Sequence, residues 1–288
     1  MSKIDVALAS CQQLPEPDVD AAPLLAALAE AGLNAELWAW DDPALDWSLP
    51  RMTVLRSTWN YPKRFAEFDR WLSLVDRSSE LQNPLELVRP NLHKGYLLEF
   101  QADGIPIAPT ELLLRGAEID LAALMAARGW QRAVVKPAVS ANSWRTRDVT
   151  ASTIQRGQDH LDRILLDSDA LVQAYVPSVE SYGERSLIVI DGRLTHAIRK
   201  SPRFTGDDES VPRVAHPISD AEANFAEKIL SRFSVAPLYA RVDIAPDAEG
   251  VPLLMELELA EPSLYLSCCD AALERLVLAI QRRLEGRS

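Results

Sequence analysis

The sequence predicts an α/β unit followed by an α+β unit with antiparallel sheets. Three observations predict it. Strand-like and helical runs alternate over the first 90 residues, hairpin and capping signals replace that alternation afterwards, and the chain closes on an amphipathic helix. At 288 residues there is room for one large domain or two ordinary ones. Hydrophobic residues at 48% and charged residues at 25% exclude a disordered chain.

Residues 4–9 read as the first strand. Asp20 as N-cap and Gly32 as stop bound a helix, and strands follow at 35–40 and 52–56 across an Asp- and Pro-rich loop. Phe65, Phe68, Leu72 and Val75 recur at helical spacing, which gives a helix over 65–75. The parallel layer these imply ends near Pro90. Beyond it, a helix over 94–102 stops at Asp103-Gly104, and Pro106 and Pro109 mark an extended connector. A helix near 118–128, a strand over 133–137, a helix over 153–165 and a strand over 170–176 follow. Strands at 185–191 and 194–199 meet at Asp191-Gly192, a hairpin signal. Ser219-Asp220-Ala221-Glu222 is a capping box opening a helix to about Phe233. Strands at 237–245 and 251–259 flank turn residues. Leu273, Leu276, Val277, Ile280 and Leu284 define the last helix.

Thirty Lys and Arg against 42 Asp and Glu leave a net charge of −12, a field that repels nucleic acid. No apolar run approaches the ~20 residues of a membrane-spanning helix. Leu8-Ala9-Ser10-Cys11 looks like a lipoprotein cleavage box, but seven residues precede it and Asp5 interrupts them, so no signal segment is expected. Cys11, Cys268 and Cys269 form no disulfide framework and no C-x-x-C pair, which points to a reduced cytoplasmic setting. Phosphate-loop, dinucleotide, zinc-protease and nucleophile-elbow motifs are all absent.

The strongest chemical signal lies on two strands. Side chains alternate faces, so Arg241 and Asp243 share one face, and Glu256 and Glu258 share a face opposite Met255, Leu257 and Leu259. A turn centred near Asp247-Ala248 sets Arg241 opposite Glu256, with Asp243 diagonal. Three gathered carboxylates repel unless cations neutralise them, and hard oxygen donors suit Mg²⁺. The competing interpretation is an acidic outer face on a half-solvated sheet.

Lys94, Val134-Val135-Lys136-Pro137, Val172-Gln173-Ala174-Tyr175-Val176, Gly183-Glu184-Arg185-Ser186, Arg241-Val242-Asp243 and Met255-Glu256-Leu257-Glu258 occur in that order. This succession, spanning essentially the whole chain, resembles the ATP-grasp ligase superfamily. The resemblance implies an ATP-grasp fold: a small parallel-sheet pre-domain over 1–90, then lobes over 91–178 and 179–288 that clasp ATP. It implies Lys94 and Lys136 on the phosphates, the backbone of Gln173, Ala174, Tyr175 and Val176 on adenine, and Glu180 on the ribose. Asp243, Glu256 and Glu258 would hold Mg²⁺ as two ions, with Mn²⁺ an acceptable substitute. Arg199, Lys200 and Arg241 would neutralise transferring phosphate, and Arg213 would meet the substrate.

Two departures from that pattern stand out. No glycine lies between Lys136 and Asp148, and Ser140 and Asn142 stand where backbone amides would approach the phosphates. The last metal ligand is Glu258 where the superfamily commonly has asparagine. Within the superfamily, Arg56-Ser57-Thr58-Trp59-Asn60-Tyr61, the segment around His196, and Glu261-Pro262-Ser263 resemble the branch that closes O-ureido-D-serine into D-cycloserine. That makes Arg56, Ser57, Trp59, Glu261 and Ser263 candidate substrate residues, with His196 read as a satisfied strand residue. The expected activity is ATP-dependent ligation: a small amino-acid-like carboxylate becomes an acyl phosphate, ADP leaves, and an amine-type nucleophile attacks. Intramolecular ring closure is the alternative, and a degenerate ATP-binding protein the alternative from another class. Partners are small molecules, with a homodimer as the default assembly.

Overall fold

The computed structural model describes residues 4–200 and 214–286. The first sheet contains β1 (Val6–Ser10), β2 (Ala35–Ala39), β3 (Met52–Ser57) and β4 (Glu80–Gln82), all parallel in the order β2-β1-β3-β4, with α1 (Ala21–Glu30) and α2 (Phe65–Ser78) as crossovers. The second takes α3 (Leu85–Asn91) and α4 (Tyr96–Ala102) as its approach. It pairs β5 (Thr110–Leu113), β6 (Arg132–Pro137), β7 (Arg147–Thr150) and β8 (Ala170–Ala174) antiparallel in the order β5-β8-β6-β7, with α5 (Leu121–Arg128) and α6 (Ile154–Leu165) between strands. After α7 (Ser178–Ser181), the third sheet joins β9 (Glu184–Ile190), β10 (Arg193–Lys200), β11 (Tyr239–Pro246) and β12 (Pro252–Glu258) in the antiparallel order β10-β9-β11-β12. Helices α8 (Asp220–Leu230) and α9 (Asp270–Glu285) accompany it.

β1 and β3 are buried along their whole length because helices cover both faces, as parallel strands require. Alternation sorts their side chains: Val6, Leu8, Met52 and Val54 meet Leu24, Leu28, Leu276 and Ile280 of α1 and α9, while Ala7, Ala9 and Leu55 meet Phe68 and Leu72 of α2. The first of these clusters also takes in Ile188 and Ile190, so α9 ties the first sheet to the third. Asp191 and Gly192, at φ +50° and +69°, form the two-residue turn between β9 and β10 that the sequence signals. Among the described residues, no helix is long and apolar enough to cross a membrane.

The outer edge of β12 would be a row of unpaired backbone groups, and side chains close it. Asn91 donates to the Leu257 carbonyl at 2.8 Å and accepts from Leu259 N at 2.8 Å, while the Tyr96 hydroxyl donates to that Leu257 carbonyl and accepts from Leu257 N at 2.9 Å. These contacts seat the turn between α3 and α4, which carries Lys94, against the acidic hairpin.

The hairpin register differs from expectation. Arg241 faces Glu258 and Asp243 faces Glu256, because the connecting loop runs over 247–251 and a bulge separates Asp243 from Ile244. The slip is two residues, an even number, so the acidic side chains keep a common face. Met255, the extra residue of the bulge, lines the cavity described below rather than the opposite face. Short elements β4, β5, β7, α3 and α7 are additional to the expected set. Asp20 does precede α1, but its carboxylate makes no capping bond, being engaged elsewhere.

Candidate active site

A cavity of about 270 Å³ lies between the second and third sheets, lined from β6, β8, β10, β11, β12 and the segments 140–146 and 260–265. Lys94, Lys136, Lys200, Arg241, Asp243, Glu256 and Glu258 all line it. The three carboxylates thus face the lysines rather than bulk solvent. Glu256 Oε1 lies 2.8 Å from Lys94 Nζ, which also donates to the Ser140 carbonyl at 2.7 Å. Asp243 is 2% exposed and receives Arg241 Nε and Nη2, Lys200 Nζ at 3.0 Å and the Ser186 hydroxyl at 2.7 Å. Glu258 pairs with Arg241, and Glu184 with Lys200 at 2.8 Å.

Burial opposes ionisation of Asp243, Glu256 and Glu258, and its balance against local charge decides each outcome. At Asp243 burial is outweighed by Arg241 and Lys200, which hold the carboxyl well below the usual range. At Glu256, Lys94 and Lys136 likewise prevail over burial and hold it low. At Glu258 burial wins: despite Arg241, and with Glu256 and Asp243 repelling it, the carboxyl is pushed up to about 7. Burial also lowers Lys136, against the pull of Glu256.

Among the described residues no three His, Cys, Asp or Glu side chains converge as a ready-made metal cage. The donor set nonetheless suits a divalent cation that brings its own waters and phosphate oxygens. All three donors are carboxylates on one wall of the cavity, with Arg241 bonded to both Asp243 and Glu258.

Ser140, Asn142, Gln173, Ala174, Tyr175 and Val176 line the same cavity, with Gln173 donating to Thr110 Oγ1 at 2.9 Å. Asn142, Ser143 and Arg145 adopt φ of +49° to +56°, so the glycine-free segment reaches left-handed backbone at three non-glycine residues. Glu180 does not line the cavity. Its carboxylate faces outward to Arg132 at 2.5 Å and the Tyr175 hydroxyl at 3.0 Å, and the acid that lines the wall is Glu184. The cause is local: α7 inserts a turn, and Gly183 at φ +81° redirects the chain into β9.

Trp59, Glu261 and Ser263 line the cavity; Arg56 and Ser57 do not. Arg56 is wholly buried, 3.1 Å from the equally buried Asp20, and donates to the Pro262 carbonyl at 3.1 Å. Ser57 donates to Ser10 Oγ. Arg199 turns away to the Ser181 carbonyl, and Arg213 lies outside the described residues. His196 is buried, with Nε2 3.0 Å from the Leu264 carbonyl and Nδ1 3.0 Å from Thr195 Oγ1, a satisfied strand residue. Sequence reasoning missed Glu184, Tyr61 and Tyr265 in the wall and Asp20 behind it. Tyr61 was visible beside Trp59, whereas nothing local marks Asp20.

Lys136 makes no ion pair or hydrogen bond with a described residue, which leaves its ammonium free for an incoming anion. Lys136→Ala is expected to weaken nucleotide binding about tenfold or more, the loss of one charge-assisted contact. Calorimetry with ATP and Mg²⁺ checks this, and wild-type affinity would refute it.

A family model described as the N-terminal domain of D-cycloserine synthetase DcsG matches residues 6–83. The cycloserine biosynthesis protein DcsG of Streptomyces lavendulae is 34% identical over 285 residues, covering 93% of this chain and 95% of that protein. The crystal structure of D-cycloserine synthetase DcsG aligns with a TM-score of 0.89 at 32% identity, over 97% of this chain and 99% of that one. D-alanyl-alanine synthetase A from Vibrio cholerae O1 biovar eltor str. N16961 shares the fold, with a TM-score of 0.71 at 16% identity over 99% and 100% of the two chains.

Proposed function

The chain belongs to the ATP-grasp ligase family that includes D-cycloserine synthetase DcsG, and on that premise we propose that it closes a single small amino-acid substrate, O-ureido-D-serine or a near analogue, into a ring at the expense of ATP. The observation that carries the ligase chemistry is the juxtaposition of Lys94, Lys136, Asp243, Glu256 and Glu258 around one cavity. Ring closure is favoured over joining two molecules because the part of the cavity beside the carboxylates is walled by Trp59, Tyr61, Glu261 and Tyr265, each at most 8% exposed.

In this reading the substrate carboxylate attacks the γ-phosphoryl group of ATP, the bond to the β-phosphate breaks, and ADP leaves. The oxygen-bound nitrogen of the same molecule then attacks the acyl carbon, phosphate departs and the nitrogen gives up its proton, and hydrolysis of the carbamoyl group left on that nitrogen, to carbon dioxide and ammonia, completes the free ring. Lys94 and Lys136 bind the phosphates, while Arg241 and Lys200 face the charge that develops as the phosphoryl group transfers. Asp243, Glu256 and Glu258 would hold Mg²⁺, which neutralises triphosphate charge when bound. The walls of the cavity exclude water, which would otherwise hydrolyse the activated acyl group. Glu184, which lines the cavity where Glu180 does not, would take the ribose.

The test adds O-ureido-D-serine as the sole substrate with ATP and Mg²⁺. Release of ADP and phosphate together with a cyclic product by mass is expected. ADP release that requires a second, amine-bearing compound would replace this reading with intermolecular ligation. ATP binding with no turnover on any amino acid would replace it with a binding protein.

A further inference from the structure

Charges in the cavity are paired with few exceptions. Glu256 is matched by Lys94, Glu258 by Arg241, Glu184 by Lys200, and Asp243 by both Lys200 and Arg241. Lys136 has no acidic partner among the described residues, and Glu261 has no basic one. A positive and a negative charge without a bonded counter-charge in a shared cavity mark two oppositely charged groups on what it holds. Lys136 suits phosphate, as argued above.

Glu261 is 8% exposed and lines the cavity with Tyr61, itself 2% exposed, and no described residue forms an ion pair with its carboxylate. Its position is set by backbone contacts that a loose surface acid would not have. Trp59 Nε1 donates to the Glu261 carbonyl at 2.9 Å, Arg56 to the Pro262 carbonyl, and Arg241 to the Ser263 carbonyl at 3.4 Å. The Asp20 carboxylate accepts from the backbone nitrogens of Leu264, Tyr265 and Leu266 at 2.6, 3.1 and 2.7 Å. A carboxyl held this firmly, attracted by Lys94 only from beyond ion-pair distance and bonded to no described base, is costly unless a ligand supplies a counter-charge. Burial, followed by repulsion from Glu258, pushes this carboxyl up to about 8, which agrees with a missing cation.

We propose that Glu261 receives the protonated amine of the substrate, so that the cavity selects zwitterionic amino acids over carboxylic acids that lack the amine. The assignment rests on the ligase reading above and adds the charge class of the substrate.

The test uses calorimetry with Mg²⁺ and a non-hydrolysable ATP analogue present. The probes are D-serine and D-cycloserine, each measured beside its des-amino counterpart, 3-hydroxypropionate or isoxazolidin-3-one. Wild type is expected to prefer the amine-bearing member by about 30-fold or more, the cost of leaving one buried charge without its partner. In Glu261→Gln, which keeps the shape of the side chain, the preference is expected to fall to near unity while affinity for the nucleotide analogue stays within about threefold of wild type. A wild type with no amine preference, a variant that retains it, or a parallel loss of nucleotide affinity each overturns the assignment. If O-ureido-D-serine fails to cyclise while amine preference persists and depends on Glu261, the cyclisation reading falls and this one stands.

Discussion

Glu256→Gln is expected to abolish ADP formation, with phosphate release falling about 10³-fold or more, in a protein that remains folded. Glutamine matches the shape of glutamate and keeps a carbonyl oxygen that can accept from Lys94, so the 2.8 Å contact survives as a neutral-acceptor bond. What disappears is one unit of negative charge from the wall proposed to hold Mg²⁺. The Lys94 ammonium still donates to the Ser140 carbonyl, and its turn is still anchored through Asn91 and Tyr96 to β12, so the loss of stability should stay near 1–2 kcal/mol. Removing that charge also relieves Glu258, which burial and its acidic neighbours push up to about 7. Thermal denaturation and phosphate release, measured on one preparation, separate the two effects. Turnover at the wild-type rate with unchanged Mg²⁺ dependence would sink the metal assignment.

Elements with strong periodicity were legible because burial imposes the period. The apolar runs of β1 and β3 and the spaced Phe68, Leu72 and Val75 of α2 each announce which face is covered. Short polar elements carry no such mark. β4 is three residues, Glu80–Gln82, held by pairing with β3, and β5 is four residues completed by the antiparallel edge of β8. Their backbone partners are long-range, so local preference says nothing about them.

The acidic face of the hairpin was legible for the same reason: alternation survives any even slip. Its register was not, because the longer loop and the bulge at Met255 depend on how β12 meets β9, β11 and the α3–α4 turn. The resemblance puts Glu180 on the ribose, but α7 turns that residue outward, and only after Gly183 does the chain bring an acid, Glu184, to the wall. Arg56, at the end of a buried strand, carried the chemistry expected of a substrate residue. The structure gives its charge to Asp20, 36 residues earlier, a pairing that leaves no local pattern in either segment.

That buried pair is the second place where a large effect is expected. Asp20→Ala should destabilise the protein by about 3–5 kcal/mol, the usual cost of removing one member of a buried ion pair. The melting temperature should fall by roughly 10 °C. Arg56 and Asp20 both have 0% exposed side chains, so neither charge can turn to water when its partner is gone. Three backbone nitrogens of residues 264–266 lose their acceptor in the same step. Asp20→Asn keeps one acceptor oxygen and should cost less than the alanine variant, whereas Arg56→Ala should cost about as much, since it strands the carboxylate. The double alanine variant should be less destabilised than the sum of the singles, because it leaves neither charge stranded. The pair touches no residue of the metal wall, so any catalytic loss in Asp20→Asn should appear in KM for the amino-acid substrate, through the 261–266 segment, and not in the affinity for ATP. Urea unfolding of the four variants, with KM and ATP affinity measured for Asp20→Asn, decides the matter: a cost below 1 kcal/mol for Asp20→Ala would mean that the 261–266 segment is held by its other contacts, those to Trp59, Arg241 and His196, and not by this pair.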